Sequence, residues 1–211
     1  MTSALGLKLV DGLDLADPLR EALRPGEVLL DDRGQARRLP RFFYEVGSRR
    51  KAHAVEIAPE FRLIELLRTD VREAEPLRGY PRYVPCAVAH LAAALAVFRA
   101  HVGTYVHVAA NGGYRSPGHA LSRGASTHCW GTAANIYRIG DDWLDTEETI
   151  ATYAALVREV LPAAWVRPYG HAVGFADDHL HLDLGYAVAV PREADGLRED
   201  EYTEQEPETT E

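Results

Sequence analysis

The stretch that most constrains this fold is Asp178-His179-Leu180-His181-Leu182-Asp183, with Leu184 just beyond it. Polar and apolar residues alternate. A strand sends successive side chains to opposite faces, so the spacing predicts a strand with His179, His181 and Asp183 on one face and the leucines on the other. Two imidazoles at i and i+2 of a strand can converge on one point. An upstream segment, Ser126-Thr127-His128 through Asn135, reads as the partner of this strand across a site. Together the two segments predict a zinc site, or the remains of one.

At 211 residues and 46% apolar composition the chain can bury a real core and suits one domain with additions. No apolar run is long enough to cross a bilayer. Met1 to Lys8 lacks the charged and apolar blocks of a secretory signal. Cys86 and Cys129 are too few for a disulfide framework, so reduced thiols and a cytoplasmic location are the default expectation, with export by another route left open.

The net charge of −9 is uneven: nine acidic groups against Arg192 and Arg198 give residues 192–211 a charge of −7. That composition reads as a solvated, disordered extension. The rest is close to neutral, which argues against nucleic acid as a partner. The chain therefore divides into an accessory segment 1–55, a main domain 56–190 and an acidic tail 191–211.

Within these limits the elements read as follows. Glu27–Leu30 and Phe42–Val46 are short strands. Pro59 suits the first position of a helix carrying Phe61, Ile64 and Leu67 on one face. Residues 75–85 form a proline-rich connector. Cys86–Val102 is a helix with a buried stripe of Val88, Leu91, Ala92, Leu95, Phe98 and Val102. Thr104–Ala109 alternates and is β-branched, so it is a strand. Asn111-Gly112-Gly113 ends it, and Tyr114–His119 is a loop into a short helix. Thr146 caps a helix to Leu161, with Glu147 and Glu148 at its positive end. Ala164–Arg167, His179–Leu184 and Tyr186–Val190 read as strands, the first two joined by the glycine-rich Tyr169–Phe175. Helices and strands do not alternate as parallel crossover units, so the expected class is α+β, a small antiparallel sheet flanked by helices.

A catalytic zinc takes three N, O or S ligands and keeps a position for water. His128 and His181 offer nitrogen. Asp178 is placed to take a proton from a water, His179 to donate to an oxyanion, and Arg115 to hold a carboxylate or carbonyl in its planar fork. His181-x-Asp183 also has the start of the iron-oxygenase facial triad, but no histidine follows His181, which excludes that class. Asp183 reads instead as a strand anchor or a bond behind a ligand. His119 and His171 read as loop hydrogen-bonders bordering the cleft. Cys129 reads as a small buried residue, with a redox role or a substitute ligand as the alternatives. Trp130 and Tyr114 read either as packing or as a substrate wall.

Ser126 to Asn135 resembles the S-x-H-x-x-G-x-A-x-D motif of the M15-type zinc D-Ala-D-Ala carboxypeptidases and peptidoglycan endopeptidases. Three further segments agree in order: Ala58 to Leu66 with a helix start, Asn111 to Pro117 with the S-G-Y-R-S-P loop, and Asp178 to His181 with the D/E-x-x-H element. The resemblance spans roughly residues 55–187. It implies the hedgehog/DD-peptidase fold, with His128 and His181 as zinc ligands and Asp178 as general base. It further implies Arg115, Ser126 and Tyr114 beside the substrate, a peptidoglycan-derived peptide.

The family's third ligand is an aspartate, and here it is Asn135. Three outcomes stand open: Asn135 is a weak oxygen ligand; Asp141, Asp142 or Asp177 replaces it; or the domain is catalytically silent and serves binding or assembly.

Overall fold

The computed structural model describes residues 2–171 and 176–192. Its first half runs β1 (Lys8–Asp11), α1 (Asp17–Leu23), the hairpin β2 (Val28–Leu30) and β3 (Ala36–Arg38), then β4 (Phe42–Val46) and α2 (Arg49–Ala54). The hairpin β5 (Glu56–Ala58) and β6 (Phe61–Arg62), α3 (Leu63–Leu67) and β7 (Arg82–Pro85) follow. β4 is the middle strand of an antiparallel sheet, β1-β4-β7. It reads as a nearly continuous apolar run because Phe42, Phe43, Tyr44 and Val46 are all buried.

The second half carries α4 (Val88–Val102), β8 (Val106–Val108), β9 (Ala133–Ile139), β10 (Asp142–Trp143), α5 (Glu147–Val160), β11 (Trp165–Val166) and β12 (Leu180–Asp183). β9 is the hub of an antiparallel sheet. Ile136 pairs with Val108 of β8 and with Leu180 of β12, so these strands lie on opposite edges of β9. Ile139 likewise pairs with Val106 and with Asp142, which puts β10 on the β12 side, and β11 lies outside β12. The protein is thus α+β with small antiparallel sheets.

α4 forms where the 3-4 spacing predicts. Leu91, Leu95 and Phe98 are fully buried, each contributing about 1.5–3 kcal/mol. Gly103 ends the helix in the left-handed region at φ 65°. His90 and His101 face solvent. Arg99, on the last turn, is buried and pairs with Glu65 of α3 at 2.7 Å. Glu65 also accepts from the Tyr105 hydroxyl at 2.8 Å, which fixes the start of β8. In α5, Thr146 caps as expected, its hydroxyl accepting from Thr149 N.

Several expectations are corrected. Pro59 does not open a helix; it lies in the turn between β5 and β6, where Glu60 takes a positive φ of 60°. No helix follows Tyr114–His119, because the backbone is satisfied in turns: Gly118 N donates to Ala22 O, and Leu121 N to His119 Nδ1. Tyr186–Val190 is not a strand. The accessory segment 1–55 packs on the main domain, one core cluster running from Leu7 through Phe43, Leu66 and Leu95 to Leu182. The glycine-rich joint from residue 172 to 175 and the tail from residue 193 lie outside the described residues. Among the described residues no helix is long and apolar enough to cross a membrane.

Candidate functional site

The site begins with two glycines. Asn111-Gly112-Gly113 threads the backbone between β9 and the end of α3. Asn135 N donates to Gly112 O at 2.7 Å, and Tyr114 N to Leu66 O at 2.8 Å. A Cβ on Gly113 would lie 2.3 Å from Leu66 O, and one on Gly112 2.8 Å from Asn135 O. Only glycine permits both approaches. The resulting loop turns Gly113 O toward His128, whose Nδ1 lies 2.8 Å away.

His128 sits in a short 3-10 turn, Thr127–Trp130, closed by Gly131 at φ 70°. Its Nδ1–H donates to Gly113 O, which leaves the lone pair on Nε2. Burial, then Arg115 and then His181, hold its pKa well below the usual imidazole range. The ring is therefore neutral, the form that ligates metal.

His181 stands opposite Asn135 in the β12–β9 register. The His128 and His181 ring centroids are 5.2 Å apart, edge to face. The predicted alternation of β12 holds, with Leu180 and Leu182 in the core. The polar side is also covered, so His181 and Asp183 are buried as well. His181 Nδ1 lies 2.8 Å from Asn135 Oδ1, and Nε2 lies 3.1 Å from Asp183 Oδ2. Burial lowers the His181 pKa despite Asp183, so the ring has one N–H. The carboxylate is the stronger acceptor and takes it. Nδ1 then turns a lone pair toward an amide oxygen. Two arrangements satisfy that pair: the amide turns over and donates from Nδ2, or a cation is shared between Nδ1 and Oδ1.

The donor set fits a divalent ion. Both imidazoles are neutral, each has one nitrogen held by a protein acceptor, and the carboxylate behind His181 is the arrangement that orients metal-ligating histidines. The third donor is a neutral amide. Among the described residues no three His, Cys, Asp or Glu side chains form a metal-holding group. Asp142 accepts from the Tyr153 hydroxyl and Asp177 from Gly170 N, so neither is shown replacing Asn135. Cys129 is buried, its thiol pushed up to about 11 by that burial, which leaves it protonated and unsuited to ligation.

Arg115 is buried beside the imidazoles, whose pKa values it depresses. Its Nη1 donates to Asn111 O at 3.1 Å, while Nε is buried without a partner. Among the described residues no carboxylate lies within ion-pair reach of its guanidinium. Burial lowers the Arg115 pKa, while Glu73 acts on it through space in the opposite sense; a bound carboxylate in direct contact would relieve the remaining cost.

Asp178 is largely exposed, at 74% of its side chain, and accepts from His179 Nδ1 at 2.6 Å. His179 Nε2 faces the Arg167 guanidinium at 3.1 Å. Both nitrogens of His179 are therefore engaged, Nδ1 by Asp178 and Nε2 by Arg167. Tyr114 is buried with its hydroxyl unpartnered, and it helps to line a cavity of about 10 Å³ with Thr69 and Glu73. Trp130 is likewise fully buried, donating to Arg38 O. Ser126 precedes the His128 turn and makes no side-chain capping bond. His119 is a buried loop hydrogen-bonder, its Nε2 3.0 Å from Asn111 Oδ1.

Sequence reasoning missed Trp165 and Arg167. Trp165 pairs with Asp183 across β11 and β12, and its ring stands edge-on to His181 at 5.7 Å with 47% of the residue exposed. The register of two short strands places it there, and no local motif signals it. Comparison with family models, with curated proteins and with solved structures gives no match to this chain.

Proposed function

We propose that this protein is a zinc-dependent peptidase of the M15 type, with the hedgehog/DD-peptidase fold, acting on peptides of the peptidoglycan class. The observation that carries the reading is His181, held by Asp183 on one nitrogen and facing Asn135 Oδ1 at 2.8 Å with the other, next to the neutral ring of His128. His128, Asn135 and His181 would hold the ion. Bound zinc supplies a lowered water pKa and a polarised carbonyl.

The chain's own groups do the rest. Arg115 binds a substrate carboxylate, which its buried and unpartnered Nε favours. Asp178 accepts the proton of the attacking water, with its carboxylate oriented by His179, itself braced by Arg167. Trp165 forms one rim. A second reading, a catalytically silent binding module, is favoured by one feature: the amide at position 135 contributes no charge to a cation site.

Metal analysis of protein purified without chelator, followed by hydrolysis of a peptide ending in D-Ala-D-Ala, tests the proposal. Stoichiometric zinc and release of D-alanine are expected. Asp178→Ala should abolish hydrolysis with metal retained. Asn135→Asp should raise zinc affinity. Wild type without zinc and no gain in Asn135→Asp would leave the silent module standing.

A further inference from the structure

Arg115 and the loop around it are tied to residues 70–73, a segment that carries two carboxylates in different states. Asp70 is exposed and pairs with Arg72 at 2.6 Å. It also exchanges bonds with the Asn111 side chain, its N–H donating to Oδ1 and its Oδ2 accepting from Nδ2, both at 3.0 Å. The Asn111 carbonyl in turn accepts from Arg115 Nη1. Glu73 is buried, at 3% exposed, and makes no salt bridge among the described residues. Ala74 N donates to its carboxylate at 2.9 Å, Ser116 Oγ at 2.6 Å and Ser116 N at 3.4 Å. Three donors suit the ionised form, so a negative charge stands in the interior, bonded to the residue that follows Arg115.

That charge reaches its neighbours. After burial, Glu73 is the next influence on Tyr114 and on His119. On Arg115 it comes after burial and Cys129, and Cys129 is a neutral thiol at pH 7, pushed up to about 11 chiefly by burial. The anion that supports the Arg115 guanidinium is therefore Glu73, acting without contact. A contact pair would occupy the guanidinium N–H groups. A carboxylate held off by Ser116 offsets part of the cost of burial and leaves those groups open to a ligand.

We propose that Glu73 is a positioning residue for Arg115: its bonds to Ser116 fix the loop, and its charge limits how tightly the guanidinium takes a ligand carboxylate. The inference rests on the reading of Arg115 as a carboxylate anchor, and on neither the metal nor the hydrolytic step. The two contributions differ in sign. The bonds favour binding because they hold Arg115 in place, whereas the charge opposes a second anion in a poorly screened interior.

The test is titration of chelator-treated full-length protein with N-acetyl-D-alanine, followed through the Arg115 Nε–H and the Ser116 amide by nitrogen–proton NMR. Glu73→Gln keeps an oxygen for Ala74 N and Ser116 Oγ but removes the charge. It should tighten binding about tenfold, the size of one partly screened charge interaction. Ser116→Ala keeps the charge but cuts the hydroxyl bond, and should weaken binding. Arg115→Gln should remove the response, and circular dichroism checks each fold. An affinity that falls or stays level in Glu73→Gln would make Glu73 structural only and overturn the proposal. Unchanged affinity in Ser116→Ala would overturn it too, whether or not Glu73→Gln folds. A wild type that ignores N-acetyl-D-alanine removes the anchor and the inference together, whereas binding that is indifferent to Glu73 removes the inference alone.

Discussion

Asp183→Asn separates a hydrogen bond that merely fills space from one that sets a tautomer. Asp183 Oδ1 accepts from Gly185 N at 2.8 Å, and Oδ2 takes the Nε2 proton of His181 at 3.1 Å. Asparagine keeps one oxygen for Gly185 N but puts an NH₂ where Oδ2 stood. That NH₂ needs an acceptor, so Nε2 must give up its proton. The proton moves to Nδ1, which donates to Asn135 Oδ1 and no longer offers a lone pair. Replacing charge-assisted bonds by neutral ones costs about 1–2 kcal/mol of stability. Loss of an orienting carboxylate typically weakens metal binding by about 10- to 100-fold, or about 1.4–2.8 kcal/mol. Long-range nitrogen–proton correlation of His181 in chelated protein reads the tautomer, and zinc titration against a competing chelator reads the affinity. If Nε2 keeps its proton in Asp183→Asn, or zinc affinity stays within twofold of wild type, Asp183 does not set the ligand nitrogen.

Two other predictions follow from the same geometry. Gly113→Ala forces a methyl against Leu66 O and should destabilise the fold by about 3 kcal/mol or more, seen as a large drop in thermal midpoint; a shift below 2 °C would show that the loop can move away. Burial lowers the pKa of His119, His128, His179 and His181, so the unfolded chain binds more protons than the folded one once pH falls below about 6.5. Stability should hold above that pH and fall through the acid side until the folded histidines protonate, at about 1.4 kcal/mol per residue for each pH unit crossed. A thermal midpoint equal at pH 7 and pH 5 would contradict neutral buried rings.

Sequence made the local elements legible and the assembly less so. α4 and α5 appear within two residues of their predicted spans because stripe and cap are local signals. β12 shows its alternation for the same reason. The coverage of its polar side does not, since it depends on the Gly112-Gly113 loop and the 3-10 turn at His128 arriving there. Pro59 misled because a first helical position and a turn fit the same fixed φ. Sequence left Tyr114 open between packing and a substrate wall, because an aromatic beside a site motif reads alike whether it points in or out; the structure buries it. The slip of register that leaves Tyr137 unpaired, between the pairs Val108↔Ile136 and His107↔Arg138, depends on the distant strand β8 rather than on any local signal.

The electrostatics of position 135 lead to one further expectation. Two imidazoles and an amide leave a divalent ion's charge uncancelled, and Arg115 adds a buried cation close enough to depress both rings. Among the described residues Asp183 is hydrogen-bonded to His181 on its far side, and Glu73 acts on Arg115 only through space. Such a site should hold a cation poorly alone and better when an anion occupies the Arg115 side. Linkage makes the effect mutual: D-alanine carboxylate should tighten zinc by the same factor by which zinc tightens D-alanine, typically about 5- to 150-fold. Arg115→Gln separates the terms with opposite signs. It removes repulsion, so zinc affinity without D-alanine should rise, and it removes the anion's anchor, so the coupling should vanish. Zinc titrations with and without saturating D-alanine, in wild type and in Arg115→Gln, measure both. Coupling that survives in Arg115→Gln, or zinc affinity that falls in it, would mean that the guanidinium supports the imidazoles structurally rather than electrostatically.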